Sequence, residues 1–205
     1  MEATNATEWR DEGVTYAEME SGAFYSSTVS EDIFQETSLL YSALKRLLDV
    51  ALASVGIVVL MPIFLAIIIC IKLEDKGTIF YFREMIGLGG RHFTIVKFRT
   101  MIPDADTYLE RHTDLKLEYE KNMKLQDDPR ITRSGRFLRK TYLDEFPQLF
   151  NVLRGHMSLV GPRAIHEREL ALYGECAEKR HSVKPGMTGL WQISPNRYRY
   201  ALLFT

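Results

Sequence analysis

VALASVGIVVLMPIFLAIIICI, Val50 to Ile71, runs for 22 residues without a charge, between Lys45, Arg46 and Asp49 on one side and Lys72, Glu74 and Asp75 on the other. At ~1.5 Å of rise per residue, a helix of this length can cross a hydrocarbon core ~30 Å thick. Pro62 stands near its middle. A proline inside a helix lacks the N–H and presses on the carbonyl four residues back, here Val58, so a kink is expected. Gly56 adds flexibility nearby. A kinked helix enters and leaves by one face, with Lys45, Arg46 and Lys72 in one headgroup layer. A straight one puts the N-terminal tail outside and the basic body in the cytoplasm, as the positive-inside rule allows. Hydropathy alone leaves both topologies open.

Charge divides the chain at the same place. Residues 1–42 hold nine acidic side chains and one basic one, Arg10, whereas the remainder carries 25 basic against 18 acidic, so a net −1 hides a tail of −8 and a body of +7. The tail composition, with few large aliphatics and no sustained period, predicts a mobile acidic segment. The basic body is expected to meet something anionic. Cys70 lies in the apolar run and Cys176 far beyond it, so no disulfide framework is expected and a reducing compartment fits. The first apolar run follows some 50 mostly polar residues, which does not match a secretory signal peptide. The expected organisation is an acidic flexible tail (1–42), a membrane-embedded helix (43–73) and one basic domain (74–205) large enough for a real core.

Beyond the apolar run, Thr78–Phe82 and Phe93–Phe98 read as two short strands joined by a Gly87-Leu88-Gly89-Gly90 turn. No Gly-Lys-Ser/Thr follows these glycines, so they make a hairpin turn and not a phosphate loop. Tyr108, His112, Leu115, Tyr119 and Met123 recur at helical steps, predicting one exposed helix over 105–123 with a narrow packed stripe. After Val160 comes a Gly-Pro break, then a helical run through about Lys179; residues 184–189 read as a loop. The fold class is α/β, mostly helical, with a short β-hairpin or sheet.

The chemistry concentrates in RITRSGRFLRKTYLDEFPQLFNVLRGHMSLVGP, Arg130 to Pro162. Leu143, Phe146, Leu149, Phe150 and Leu153 share a face at helical spacing, predicting a helix over 145–153 with Asp144 as its N-cap and Pro147 in its first turn. A carboxylate there is held ionised by the macrodipole and by free N–H groups that can also hold a phosphate. Upstream, Arg130, Arg133, Arg136 and Arg139 recur every three residues, with Lys140 next. In a helix they make a cationic strip suited to bidentate contact with diphosphate oxygens.

Taken in order, Lys45-Arg46 before a proline-broken apolar helix, KFRTM (Lys97–Met101), DPRITR (Asp128–Arg133), LDEFPQ (Leu143–Gln148), MSLVGPR (Met157–Arg163) and KPGMTGLWQ (Lys184–Gln192) resemble the bacterial sugar transferases. These are the monotopic polyprenyl-phosphate phosphoglycosyl transferases that initiate polysaccharide and glycoconjugate assembly. The likeness covers roughly Leu44 to Gln192. It implies transfer of a sugar-1-phosphate from a UDP-sugar to a polyprenyl phosphate such as undecaprenyl phosphate, at the cytoplasmic face of the bacterial inner membrane, with release of UMP. It further implies that Asp144 is the nucleophile and carries a covalent phospho-sugar, and that Glu145 helps to hold Mg²⁺, a hard ion suited to carboxylate and diphosphate oxygens. Lys97, Arg99 and Arg163 become candidates for phosphate or nucleotide contact, and Pro62 the kink of a re-entrant helix. The expected partners are donor, lipid acceptor and membrane lipid; a homo-oligomer is compatible.

The chain also departs from the family pattern. Arg83 and Met85 stand where Gln and Arg are usual, so a phosphate contact there is expected to be weaker. Met61 replaces the Ser before the kink proline, Tyr142 a Ser, His156 an Asp, and Ala164 the second Pro of a Pro-Arg-Pro motif. The stretch after Gln192 is short against the family, and the alternative reading is a shortened homologue of low activity that scaffolds assembly enzymes. A metal hydrolase is not expected from five scattered histidines, since His166-Glu167 lacks a second histidine at helical spacing. Nucleic-acid binding is not expected either: the arginines lack interleaved exposed aromatics, and no helix-turn-helix pattern is present.

Overall fold

The structure, a computed structural model, describes residues 39–122, 125, 127–170, 173 and 176–193. The expected acidic tail lies outside them up to residue 38, as do Met123 and the stretch after Ile193. The apolar run forms one helix, α1 (Leu39–Glu74), unbroken through Pro62 and long and apolar enough to cross a membrane by length and composition. Only one stripe of it is buried: Asp49, Ala53, Ile57, Phe64, Ile67 and Ile71, at the three- and four-residue steps of a single helix face. The other faces leave large aliphatics bare, among them Leu52, Val58 and Leu65.

That stripe belongs to the core of the body. Ala53 and Ile57 pack with Met85, Phe93, Ile95, Leu149, Val152 and Met157. Phe64, Ile67 and Ile71 pack with Phe98 and Leu138, and Phe98 meets Phe64 edge-on at 5.4 Å and stacks on Phe80 at 5.5 Å. Met85 is therefore a core side chain, 6 % exposed, and an apolar residue is what this position takes.

The hairpin forms as expected, shifted and lengthened: β1 (Phe80–Ile86) pairs antiparallel with β2 (His92–Phe98), from Phe80 opposite Phe98 to Ile86 opposite His92. A 3₁₀ turn at Leu88–Gly90 closes it, with Gly89 and Gly90 in the left-handed region that glycine adopts without penalty. The single helix expected over 105–123 is two, α2 (Ala105–Arg111) and α3 (Thr113–Asn122). His112 leaves helical geometry (φ −116°, ψ 86°), its ring lying against Tyr108 at 4.1 Å, and Thr113-Asp114 open the second helix as such residues favour.

The arginine strip is helical from its second member: α4 (Arg133–Thr141) starts at Thr132, whose Oγ1 accepts the Gly135 N–H at 3.0 Å. Gly135 is where α4 crosses Thr100, and a Cβ built there falls 2.1 Å from the Thr100 carbonyl oxygen. Gly135→Ala is expected to push α4 off its seat and cost about 2 kcal/mol or more, read as a lowered unfolding midpoint.

Next come a 3₁₀ turn at Leu143–Gln148, α5 (Leu149–Arg154), β3 (Ser158–Val160), α6 (Glu167–Leu170), α7 (Cys176–His181), β4 (Gly186–Thr188) and α8 (Leu190–Ile193). The segment expected as a loop at 184–189 thus contains a strand, which pairs in parallel with β3 (Ser158 opposite Gly186, Val160 opposite Thr188). Of the helical run expected to Lys179, the described residues hold α6 and α7, and residues 171, 172, 174 and 175 lie outside them.

Candidate active site

Asp144 and Glu145 sit inside the 3₁₀ turn, and Asp144 caps no helix. The position before the turn is Tyr142, in the left-handed region (φ 58°), which costs a non-glycine residue roughly 1 kcal/mol. Its N–H bonds back to the last turn of α4, ending that helix and swinging the chain into the turn. Pro147, in the same turn, is buried, and no side-chain cap holds the turn's start. The expected N-cap geometry is therefore corrected.

The ionisation of Asp144 is corrected with it. Burial raises its carboxyl to about 6; Lys97 pulls the other way, the neighbouring Glu145 adds to the rise, and Arg139 lowers it. Glu145 is half-buried and accepts from Lys97 Nζ at 2.6 Å. No ion pair among the described residues includes Asp144, 9 % exposed.

Of the cations singled out in the sequence, Lys97 and Arg139 act on this pair. Lys97 comes from β2; Arg139 reaches from α4, anchored by its Nε to Thr100 Oγ1 at 2.8 Å. Arg133 and Arg136 stand exposed on α4. Arg99 and Arg130 are engaged with other carboxylates. Arg99 is buried, donating to the Asp75 carboxylate and to the Thr78 and Met101 carbonyls, and holds the end of α1 to the end of β2. The Arg99 guanidinium and the Gly77 N–H in turn keep the Asp75 carboxyl below its usual range. Arg130 precedes α4 and grips Asp128 with two bonds, Nε to Oδ1 at 2.8 Å and Nη2 to Oδ2 at 2.7 Å, while lying over the Tyr119 ring. Arg163 pairs with Glu169 at 2.6 Å.

The sequence reading missed Asn151. It is fully buried, accepts the Val96 N–H at 3.2 Å and donates to the Thr94 carbonyl at 2.7 Å, so its amide serves β2 as a neighbouring strand would. An asparagine inside an otherwise apolar helix was the available signal. It also missed Asp49, which takes Lys45 Nζ at 2.9 Å and the Leu159 N–H at 3.1 Å.

As a cation site, two adjacent carboxylates fit Mg²⁺, which takes one or two carboxylates and completes its shell with water and substrate phosphate. No group of three or more His, Cys, Asp or Glu side chains among the described residues makes a closed cage.

Residues 40–203 match the family of bacterial sugar transferases. The chain belongs to that family. This bacterial sugar transferase is 43 % identical to the exopolysaccharide production protein ExoY of Sinorhizobium fredii, over 82 % of its own length and 78 % of that protein. It is 41 % identical to an undecaprenyl-phosphate galactose phosphotransferase of Salmonella typhimurium, over 74 % of its length and 32 % of the relative. It is 40 % identical to a UDP-glucose:undecaprenyl-phosphate glucose-1-phosphate transferase of Xanthomonas campestris, over 73 % and 30 %. The sugar transferase therefore spans about a third of the two named phosphotransferases, and its match to the family reaches from α1 past α8.

Proposed function

We propose that the chain transfers a sugar-1-phosphate from a UDP-sugar to undecaprenyl phosphate or a similar polyprenyl phosphate, with Asp144 as nucleophile. The observation that carries this reading is the buried Asp144 beside Glu145 in a turn faced by Lys97 and Arg139. A carboxylate that burial makes reluctant to ionise is poorly solvated, and so a better nucleophile than one in water. An Asp144 carboxylate oxygen attacks the phosphorus next to the sugar. The bond from that phosphorus to the bridging oxygen breaks, and UMP leaves with the electron pair. An oxygen of the lipid phosphate then attacks the same phosphorus and the aspartyl oxygen leaves, which frees the Asp144 carboxylate and leaves the sugar on a lipid diphosphate. Lys97 holds Glu145 in place and, with Arg139 and the exposed Arg136, offsets the charge of the approaching diphosphate. Mg²⁺, when bound through Glu145, supplies charge neutralisation at the diphosphate oxygens.

We place the body at the cytoplasmic face of the membrane, with α1 entering and leaving by that face. The packing of α1 supports this. Its buried stripe runs from Asp49 to Ile71, and polar bonds tie it to the body near both ends, through Arg46 and Glu74. A helix crossing to the far side would strip one of those ends of its partners. With the native cysteines replaced, an impermeant thiol reagent is expected to reach Ser42→Cys and Lys76→Cys from the same side of the membrane. Labelling from opposite sides would sink the one-face topology.

The reaction is tested by UMP release from the membrane-embedded chain given Mg²⁺, undecaprenyl phosphate and a panel of UDP-sugars. Release with at least one sugar is expected. Its absence with every sugar, from folded protein, would favour a scaffold.

A further inference from the structure

Two charges near opposite ends of α1 bond the two helices that flank the carboxylate turn. Near the start, Arg46 donates from Nη1 to the Val152 carbonyl at 2.6 Å and from Nη2 to the Leu153 carbonyl at 2.8 Å, in the last turn of α5. Near the end, the Glu74 carboxylate accepts the Arg133 N–H at 2.6 Å, the Ser134 N–H at 3.0 Å and the Ser134 hydroxyl, in the first turn of α4. Each charge has the sign its helix end favours, an anion at exposed N–H groups and a cation at exposed carbonyls. The two residues stand about 40 Å apart along α1 at ~1.5 Å per residue. The span from Arg133 to Arg154 is thus gripped at both ends by one helix and carries Asp144-Glu145 between the grips.

We infer that Arg46 and Glu74 are positioning residues that fix the height and tilt of the Asp144-Glu145 turn against α1, and that they serve the lipid-acceptor step above the donor step. The inference rests on the reaction proposed above. A soluble donor reaches the turn at whatever height it stands. The acceptor phosphate is held near the headgroup plane by its own apolar chain, so only that partner feels the register between α1 and the turn. Arg46 shares its end of α1 with the Lys45–Asp49–Ser158 network. Glu74 is exposed and outside both apolar clusters, so its substitution leaves the core whole and makes it the residue to test.

The experiment uses the full chain in lipid nanodiscs, with Glu74→Gln and Glu74→Ala beside the unmodified protein. Exchange of labelled UMP into the UDP-sugar reports the donor step without lipid; transfer against graded undecaprenyl phosphate reports the acceptor step. Glu74→Ala is expected to leave exchange within about twofold and to raise the KM for the lipid about tenfold, with Glu74→Gln between because it keeps one acceptor oxygen. Equal losses in both steps, or no change in either, overturn the inference and leave the reaction standing. A second readout needs no turnover. Spin labels at Leu65→Cys and Lys140→Cys, in a chain with both native cysteines replaced, report the distance from α1 to α4. That distribution is expected to broaden in Glu74→Ala; an unchanged one overturns the inference, whereas failure of exchange in the unmodified protein overturns the reaction alone.

Discussion

Asp144→Asn is expected to lower sugar-phosphate transfer by about 10⁴-fold or more, the scale on which removal of a covalent nucleophile acts, and to leave the protein more stable at neutral pH. Both effects come from one cause. The carboxyl has a folded-state value of about 6, raised chiefly by burial, so the folded chain binds a proton that the unfolded chain has already released. Stability contributed by this group therefore falls as pH rises from about 4 to about 6 and is level above that. Asparagine has no ionised form and escapes the loss, a difference of about 3 kcal/mol at pH 7.5. Unfolding of both proteins in the same detergent at pH 4.5 and pH 7.5 checks this. Only the difference between them counts, because Asp75 and Asp128 have lowered values and pull the overall curve the opposite way. In the unmodified protein, the proposed donor step should fall about tenfold per pH unit below 6, since the protonated acid is no nucleophile. Transfer by Asp144→Asn near the parent rate would remove the nucleophile assignment, and equal stability at both pH values would remove the burial account.

Arg130→Ala is expected to cost about 3–5 kcal/mol, because it strands Asp128 as a buried, unpaired charge. Both side chains are nearly sealed, at 4 % and 5 % exposure, and the Arg130 main chain also receives the Ile102 N–H at 2.8 Å. Burial works against ionising Asp128, but the bonds from Arg130 outweigh it and hold the carboxyl below its usual range. The pair's contribution is accordingly present above the ordinary aspartate range and lost as pH falls through the lowered value. The double variant Asp128→Ala/Arg130→Ala should recover much of the loss, and the four proteins of the cycle isolate the coupling. If Arg130 instead gripped substrate phosphate, its removal would raise the KM for the donor with the unfolding midpoint unmoved.

These predictions separate what local pattern encodes from what it does not. The hairpin and α1 were legible because alternation and an uncharged run are written in adjacent residues, whereas the three-residue arginine spacing offered α4 without its Thr132 cap. The strand at Gly186–Thr188 was not legible, because three residues carry no period and its partner lies at Ser158–Val160. What seats it is close approach: a Cβ on Gly186 would fall 2.1 Å from the Gly161 nitrogen, a condition visible only once the strands are together. At the site, the sequence offered Asp144-Glu145, Lys97 and Arg139 as separate candidates, and the structure brings them together. The left-handed Tyr142 and the burial of Asp144 were not anticipated, since an apolar face at helical spacing reads the same for an α-helix entered through a cap and one entered through a 3₁₀ turn. Arg99 and Arg130 show a related limit. Spacing reveals that guanidinium groups are available, but Asp75 and Asp128 decide where they are used.

The stripe on α1 also bears on how the domain can be handled. A membrane anchor joined to its enzyme by a linker can be cut away to yield a soluble catalytic fragment. Here Ala53, Ile57, Phe64, Ile67 and Ile71 are part of the interior that the hairpin and α5 close upon. Deleting them exposes Phe98, Val152 and Met157, each 2 % exposed or less, to water. Helix and domain are one folding unit, so loss of the helix in a descendant gene would remove the fold along with it.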